Sequence, residues 1–98
     1  MAKRIVWTEQ AQRERRELLS YWIDRNKSKT YSVKLNNLFK EWVLLLSKRP
    51  EIGKPTDIDG IRVKVVRDYL LFYEVRKEIF YVLSIWDGRR DPKTRKLT

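Results

Sequence analysis

The sequence predicts a two-layer α+β domain, in which a helical hairpin packs on one face of a small antiparallel sheet. The chain has 98 residues, which is enough for one domain. Hydrophobic residues make up 42% of it, too many for a disordered basic segment. The apolar residues follow a helical period in the first half and a strand period in the second. We therefore expect residues 1–98 to form a single domain with the element order β-α-α-β-β-β.

The first half of the chain predicts one strand and two helices. Arg4–Trp7 alternates charged and bulky residues, which is typical of a short strand. Thr8 is the predicted N-cap of a helix that runs to about Asn26. A second helix is predicted from a cap at Ser28 to about residue 48, where Pro50 forces the preceding residue out of the helical region. Trp22 and Trp42 lie on the apolar stripes of these helices and are predicted to be core residues.

The second half predicts three antiparallel strands. Residues 50–60 are rich in Pro, Gly and Asp and are predicted to form a loop. Strands are expected at 61–66, 69–75 and 79–86, joined by short polar turns. The last two are apolar on both faces, so they should be central, while the distant first strand should pair at an edge. Residues 87–98 are predicted to be a basic C-terminal arm.

The charge and the missing residue types limit the possible functions. Twenty-three Lys and Arg against 13 Asp and Glu give a formal net charge of +10. Such an excess indicates an anionic partner, namely nucleic acid, the ribosome, an anionic membrane surface or an acidic protein. The sequence contains no Cys and no His, which excludes disulfides, thiolate metal sites and hydrolase triads. We expect a cytoplasmic protein that needs no metal, cofactor or membrane.

Nearly the whole chain resembles the RelE/ParE superfamily of bacterial type II toxins. The resemblance is carried by the order and spacing of three segments: LSKRPEIG at 46–53, RDYLLFYEV at 67–75 and DGRRDP at 87–92. It implies one fold with two alternative activities, ribosome-dependent mRNA cleavage or inhibition of DNA gyrase. It also implies a cognate antitoxin protein that neutralises the toxin. The fold alone does not choose between the two activities.

Two positions depart from the nuclease branch of that family. The arginine expected in the hairpin is Leu70, and the terminal His or Tyr is absent from the stretch Trp86 to Arg90. A cluster of cations can still drive attack by a ribose 2′-hydroxyl, so an endoribonuclease remains one alternative. The others are a gyrase inhibitor, a basic nucleic-acid-binding module and a degenerate toxin without catalytic activity.

The candidate site is a basic groove formed by strand ends and the C-terminal arm. The candidate catalytic residues are Lys64, Arg67 and Arg89. The candidate contacts to target or nucleic acid are Arg62, Arg90, Lys93, Arg95 and Lys96. Contacts to phosphates would make binding strongly salt-dependent. The competing interpretation of each cation is a solvated side chain on a strand, turn or tail.

Two further residues have competing interpretations. Trp86, at the end of a predicted strand, either stacks on a base or covers the edge of the core, and we favour the core. Glu74 is either a general base or the partner of a nearby cation, and we favour the ion pair.

Overall fold

The computed structural model describes residues 3–89, which form two helices on one face of a five-stranded sheet. The elements in chain order are β1 (Arg4–Trp7), α1 (Glu9–Asn26), α2 (Thr30–Lys48), a short 3-10 helix (Pro50–Ile52), β2 (Lys54–Pro55), β3 (Ile61–Val66), β4 (Tyr69–Arg76) and β5 (Ile79–Asp87). The order across the sheet is β1-β5-β4-β3-β2. This confirms the predicted two-layer α+β architecture.

The sheet is mixed and not purely antiparallel as predicted, because β1 runs parallel to β5 while the other neighbours are antiparallel. The two apolar strands β4 and β5 are central and β1 lies at an edge, as the sequence predicted. The sequence missed β2, which pairs with Arg62 and Val63 of β3 inside the segment predicted as a loop. It also ended β5 one residue early, since Asp87 still belongs to the strand rather than to the arm.

The helix boundaries follow local chemistry. The Thr8 hydroxyl accepts a hydrogen bond from the Ala11 amide at 3.1 Å and donates one to the Leu83 carbonyl, also at 3.1 Å, so it caps α1 and ties it to β5. Lys27 ends α1 in the left-handed region. The N-cap of α2 is Lys29, one residue after the predicted cap, and the Lys29 side chain makes no capping bond. The Ser28 hydroxyl does accept a hydrogen bond from the amide of Thr30, the first helical residue, at 3.2 Å.

The main core lies between the helices and the sheet. Leu35, Phe39 and Leu46 of α2 are buried against Leu71 and Tyr73 of β4. Trp22 and Trp42 pack against this cluster, which confirms their predicted place in the core. Burial of large side chains of this kind contributes about 1.5–3 kcal/mol each. Neither helix is long and apolar enough to cross a membrane within residues 3–89.

A second cluster lies on the opposite face of the sheet. Its buried members are Ile61, Phe72, Leu83 and Trp86, and Val63, Leu70 and Tyr81 pack against it. Trp86 is 8% exposed, so it is a core residue, as the sequence analysis favoured, and is not presented for stacking. The two central strands β4 and β5 therefore contribute buried apolar side chains to both faces of the sheet.

Tyr73 fixes the segment that follows α2. Its hydroxyl donates a hydrogen bond to the Pro50 carbonyl at 2.6 Å and accepts one from the Gly53 amide at 2.9 Å. Arg62 adds a third bond, from its guanidinium to the Gly53 carbonyl at 2.6 Å. A Cβ atom at Gly53 would overlap the Tyr73 hydroxyl, so only glycine fits this close approach.

Candidate functional site

The turn between β3 and β4 lies beside the end of β5. Arg67 begins this turn in the left-handed region, with φ 58°. The Gly88 amide donates a hydrogen bond to the Asp68 carbonyl at 2.8 Å and so joins the turn to the residues after β5. Arg67 and Arg89, two of the predicted site residues, are exposed at this same end of the sheet. The structure thus brings these two cations into one region.

Arg89 is held by its neighbour Asp87. One carboxylate oxygen of Asp87 accepts hydrogen bonds from the Arg89 amide at 2.9 Å and from Nε at 3.0 Å, and the other accepts one from Nη2 at 3.0 Å. These bonds raise the pKa of Arg89, so its guanidinium stays charged at every physiological pH. A planar, bidentate arrangement of this kind fixes the direction of the side chain.

Lys64 and Arg62 do not join Arg67 and Arg89 in one groove. Both lie on the helix-facing side of β3, in register with Leu71 and Tyr73. The Lys64 ammonium lies 4.5 Å from the centre of the Trp42 ring, a cation–π contact with α2. Arg62 binds the Gly53 carbonyl as described above. Their roles in catalysis or target binding stay predictions. The other predicted contacts, Arg90, Lys93, Arg95 and Lys96, lie outside the described residues.

A cleft of about 460 Å³ opens between α1 and the ends of β4 and β5. It arises because β1 ends opposite Val82, so that within residues 3–89 the last residues of β5 have no strand beside them on that edge. The lining residues are Arg13, Glu14, Glu17, Leu18 and Tyr21 from α1, and Tyr69, Ile85, Trp86, Asp87 and Arg89 from the sheet. Sequence reasoning placed only Arg89 among them in the candidate site and weighed Trp86 as a stacking residue before favouring the core. It missed the others because the path of α1 past β5 is a tertiary property.

Glu14 takes the place of the missing strand neighbour. One oxygen of its carboxylate accepts hydrogen bonds from the Ser84 hydroxyl at 2.8 Å and the Ile85 amide at 3.2 Å. Ser84 is fully buried, so its hydroxyl needs such a partner. In the sequence, Glu14 lies among the charged residues of α1 and is not distinguished from them. The structure instead makes Glu14 the polar link between helix and sheet.

Tyr69 forms the floor of the cleft. Its hydroxyl accepts a hydrogen bond from the Trp22 indole at 2.7 Å, and its ring meets the Phe39 ring edge to face. Burial raises the pKa of the Tyr69 phenol above its usual value, so it stays protonated at neutral pH. Tyr69 therefore joins α1, α2 and β4 directly beneath the cleft.

Glu74 is paired and is not placed as a base in this cleft. It forms an ion pair with Arg76 of the same strand at 2.9 Å, as the sequence analysis favoured. Within residues 3–89, no group of three or more acidic side chains is arranged to hold a metal ion.

These features define a small, basic α+β toxin domain of the RelE/ParE superfamily. The chain belongs to the ParE toxin family of the type II toxin–antitoxin system parDE, whose sequence profile matches residues 5–92. It is similar in fold to a chain from the chromosomal ParDE system of P. aeruginosa, with a TM-score of 0.76 and 16% identity over 88% of this chain and 96% of that one. No match was found among curated protein sequences.

Proposed function

We propose that this toxin inhibits growth by binding DNA gyrase in the cytoplasm and that a cognate antitoxin neutralises it. The observation that supports a target-binding protein over a nuclease is that two of the candidate basic side chains already make contacts within the protein. In-line cleavage of RNA without histidine requires several preorganised cations around one phosphate. Here Arg62 binds the Gly53 carbonyl, and Lys64 lies over the Trp42 ring.

The position of Leu70 supports the same conclusion. In the nuclease branch that the sequence resembles, an arginine stands at this hairpin position. Leu70 pairs with Val65 and Trp86 and packs in the second cluster, on the face of the sheet away from the helices. It therefore contributes neither charge nor a side chain to the side of the sheet that carries Lys64.

The surface we propose for target binding is the mouth of the cleft. Arg13 and Arg89 line the cleft and are exposed, and Asp87 fixes the direction of the Arg89 guanidinium. Arg67 is exposed in the adjoining turn between β3 and β4, which Asp68 joins to Gly88. Arginine is well suited to bind carboxylates of an acidic protein surface, because its planar group forms paired hydrogen bonds. Such a contact guides association electrostatically and weakens as salt rises.

Induced expression in a bacterial host tests the toxin activity, with and without the adjacent small open reading frame. We expect growth arrest from the toxin alone and recovery when the second protein is co-expressed. The purified toxin should then inhibit supercoiling by gyrase. Normal growth from well-expressed, folded protein would contradict the proposal and favour a nucleic-acid-binding module or a degenerate toxin.

Site-directed variants test the surface and the target. The double variant Arg67→Ala/Arg89→Ala should lose about tenfold or more in gyrase inhibition, equivalent to about 1.4 kcal/mol. The matched control Lys34→Ala/Lys40→Ala removes two exposed cations from α2 and should inhibit like the wild type. Toeprinting on translating ribosomes tests the alternative activity, ribosome-dependent cleavage of mRNA. Cuts at fixed codon positions, together with unaffected gyrase, would show that ribosome-bound mRNA is the target and would contradict the proposal.

A further inference from the structure

The cleft between α1 and β5 differs in charge from the rest of the molecule. Its lining holds two arginines, Arg13 and Arg89, against three carboxylates, Glu14, Glu17 and Asp87, which gives a formal net charge of −1. The whole chain has a net charge of +10, so this excess of carboxylates is local. Charges of one sign in a cleft raise the local concentration of the opposite sign, because the walls focus the field. The interior of the cleft therefore favours a positively charged group.

Two of the three carboxylates are already used within the protein. Glu14 accepts hydrogen bonds from β5, and Asp87 holds the Arg89 guanidinium. Glu17 is exposed, and within residues 3–89 its carboxylate forms no ion pair and no hydrogen bond. Arg13 precedes Glu17 by one helical turn, but a cation on the N-terminal side of a glutamate is the weaker order for such a pair. Glu17 is therefore available to a ligand in the cleft.

An exposed aromatic ring lies next to this carboxylate. Tyr21 follows Glu17 by one turn of α1, so the two side chains share a face, with Cβ atoms about 5–6 Å apart. The Tyr21 ring is 49% exposed, and its edge-to-face contact with Trp22, at 5.2 Å between ring centres, holds it in place. The half-buried Leu18 adds apolar surface to the same wall. A carboxylate beside an aromatic ring is a combination that binds an organic cation.

We infer that Glu17 and Tyr21 form a subsite for one basic side chain of the target, and that arginine fits it best. This inference rests on the proposed function, in which the mouth of the cleft is the target-binding surface. A guanidinium forms paired hydrogen bonds with a carboxylate and also lies flat against an aromatic ring, whereas the compact ammonium of lysine does neither as well. We call Glu17 and Tyr21 together the cation subsite.

The cation subsite makes the target surface selective. Arg13 lies one turn before Glu17 on α1, and Arg89 lines the cleft from the sheet. Because these two arginines bind carboxylates, the bound segment needs a basic residue among acidic ones. A purely acidic segment, or a nucleic acid, would place a negative charge against Glu17, and such a like-charge contact works against the wrong partner. The cleft therefore distinguishes a mixed-charge segment from a merely acidic one.

Glu17→Lys is the sharpest variant, because the cation subsite and the overall charge predict opposite results. The substitution makes the protein more basic, so electrostatic attraction alone should strengthen its binding to an acidic target. The cation subsite instead predicts that gyrase inhibition weakens by about tenfold or more. The matched control Glu41→Lys makes the same change at an exposed position of α2 and should inhibit at least as well as the wild type. Equal inhibition by the two variants, or stronger inhibition by Glu17→Lys, would overturn the inference.

Variants at Tyr21 separate the contribution of the ring from that of the carboxylate. Tyr21→Leu removes the ring and should weaken gyrase inhibition by about threefold, as expected for an exposed cation–π contact. Tyr21→Phe keeps the ring and should inhibit like the wild type. Circular dichroism checks that each variant is folded. A loss in Tyr21→Phe as large as that in Tyr21→Leu would assign the effect to the hydroxyl and contradict the ring contact.

A small probe tests the cation subsite without gyrase. N-acetylarginine amide carries one guanidinium, and N-acetylcitrulline amide has nearly the same shape without the charge. In an NMR titration of the full chain at low salt, the arginine compound should shift the Tyr21 signals saturably, with a Kd of about 1 mM. The citrulline compound should bind about tenfold more weakly, and Glu17→Gln should weaken binding of the arginine compound to a similar extent. Equal binding of the two compounds, or no saturable shift, would overturn the inference.

The two assays also distinguish failure of the inference from failure of the proposed function. If the arginine compound binds in a way that depends on Glu17 while the wild type leaves gyrase active, the cation subsite is supported and only the proposed target is wrong. If the wild type inhibits gyrase and Glu17→Lys inhibits it equally, the proposed function stands and the cation subsite is wrong.

Discussion

One phenolic hydroxyl, that of Tyr73, connects the sheet to the chain that leaves α2. It is buried, and both its donor and its acceptor capacity are used, by Pro50 and Gly53. Removing a partner from such a group leaves a buried polar atom unsatisfied, which costs about 1–3 kcal/mol. The residues around Tyr73 are therefore sensitive to small changes.

Gly53→Ala is the sharpest test of this contact. The added methyl group would overlap the Tyr73 hydroxyl, so unfolding free energy should fall by about 1–3 kcal/mol in urea denaturation. The backbone at Gly53 is extended, with φ −73°, so the loss would come from overlap and not from backbone strain. Tyr73→Phe should share this cost. The double variant should lose less unfolding free energy than the sum of the two single losses. Simple additivity would show that Gly53 and the Tyr73 hydroxyl act independently.

The buried tyrosines also make the unfolding free energy depend on pH in the alkaline range. Burial raises the pKa values of Tyr69 and Tyr73 above their usual value of 10. Above pH 10 the unfolded chain releases these protons while the folded protein keeps them, so stability is complete below pH 10 and falls as pH rises further. Denaturation between pH 9 and pH 11 should show a shallower loss for Tyr69→Phe than for the wild type. An equal slope would exclude Tyr69 as a source of the loss.

At the scale of elements, the turn between β4 and β5 uses unfavourable residues. Lys77 and Glu78 both have positive φ, 49° and 67°, which a two-residue turn of type I′ requires and which Asn and Gly adopt more easily. Lys77→Asn/Glu78→Gly should therefore raise the unfolding free energy by about 1 kcal/mol. Thermal denaturation measures the gain, and Lys77→Ala should show none. A lower midpoint for the Asn-Gly variant would contradict the turn geometry.

The start of α1 depends on Thr8. Thr8→Ala removes both the cap to Ala11 and the hydrogen bond to Leu83, and it should cost about 1–2 kcal/mol. Thr8→Ser keeps the hydroxyl and should stay close to the wild type in the same urea titration. Equal losses in the two variants would assign the effect to the methyl group instead.

The elements were largely predictable from the sequence, but their long-range pairing was not. Periodicity and caps gave both helices and the three long strands to within one or two residues. These local patterns could not predict β2, because a strand of two residues that contains Pro55 has no period and forms only by pairing with β3. The parallel pairing of β1 with β5 joins segments 75 residues apart, which no local pattern encodes.

The candidate site was predicted only in part, for a related reason. Arg62 and Lys64 lie two residues apart on β3 and so share one face, but that face meets α2 and the segment after it rather than open solvent. Long basic side chains can lie along apolar surface and end on a carbonyl or a ring, so charge alone does not predict exposure. Glu14 shows the reverse case, since its polar link to Ser84 is invisible until α1 is placed beside β5.

At the scale of the whole molecule, charge repulsion is poorly compensated. The net charge is +10, yet the part of the chain from 3 to 89 forms only two ion pairs, Arg76–Glu74 and Arg89–Asp87. Raising NaCl from about 0.1 M to about 1 M shortens the screening length from about 10 Å to about 3 Å. Because screening relieves self-repulsion, the melting temperature should rise with salt.

A charge-reversal variant provides the control for that prediction. Lys34→Glu/Lys40→Glu lowers the net charge at two exposed positions of α2, so it should gain less from added salt than the wild type. A melting temperature that falls with salt would show instead that attractive ion pairs outweigh repulsion.

The parallel pairing of β1 with β5 also has a consequence for synthesis. β1 leaves the ribosome long before β5 and cannot form this pairing until residues 79–82 have been translated. The cleft has the same requirement, since α1 supplies one wall and the end of β5 the other. Nascent chains fold as their segments emerge, N-terminal parts first. A growing chain therefore cannot assemble its proposed target surface until residues 79–89 have been translated and have left the ribosome.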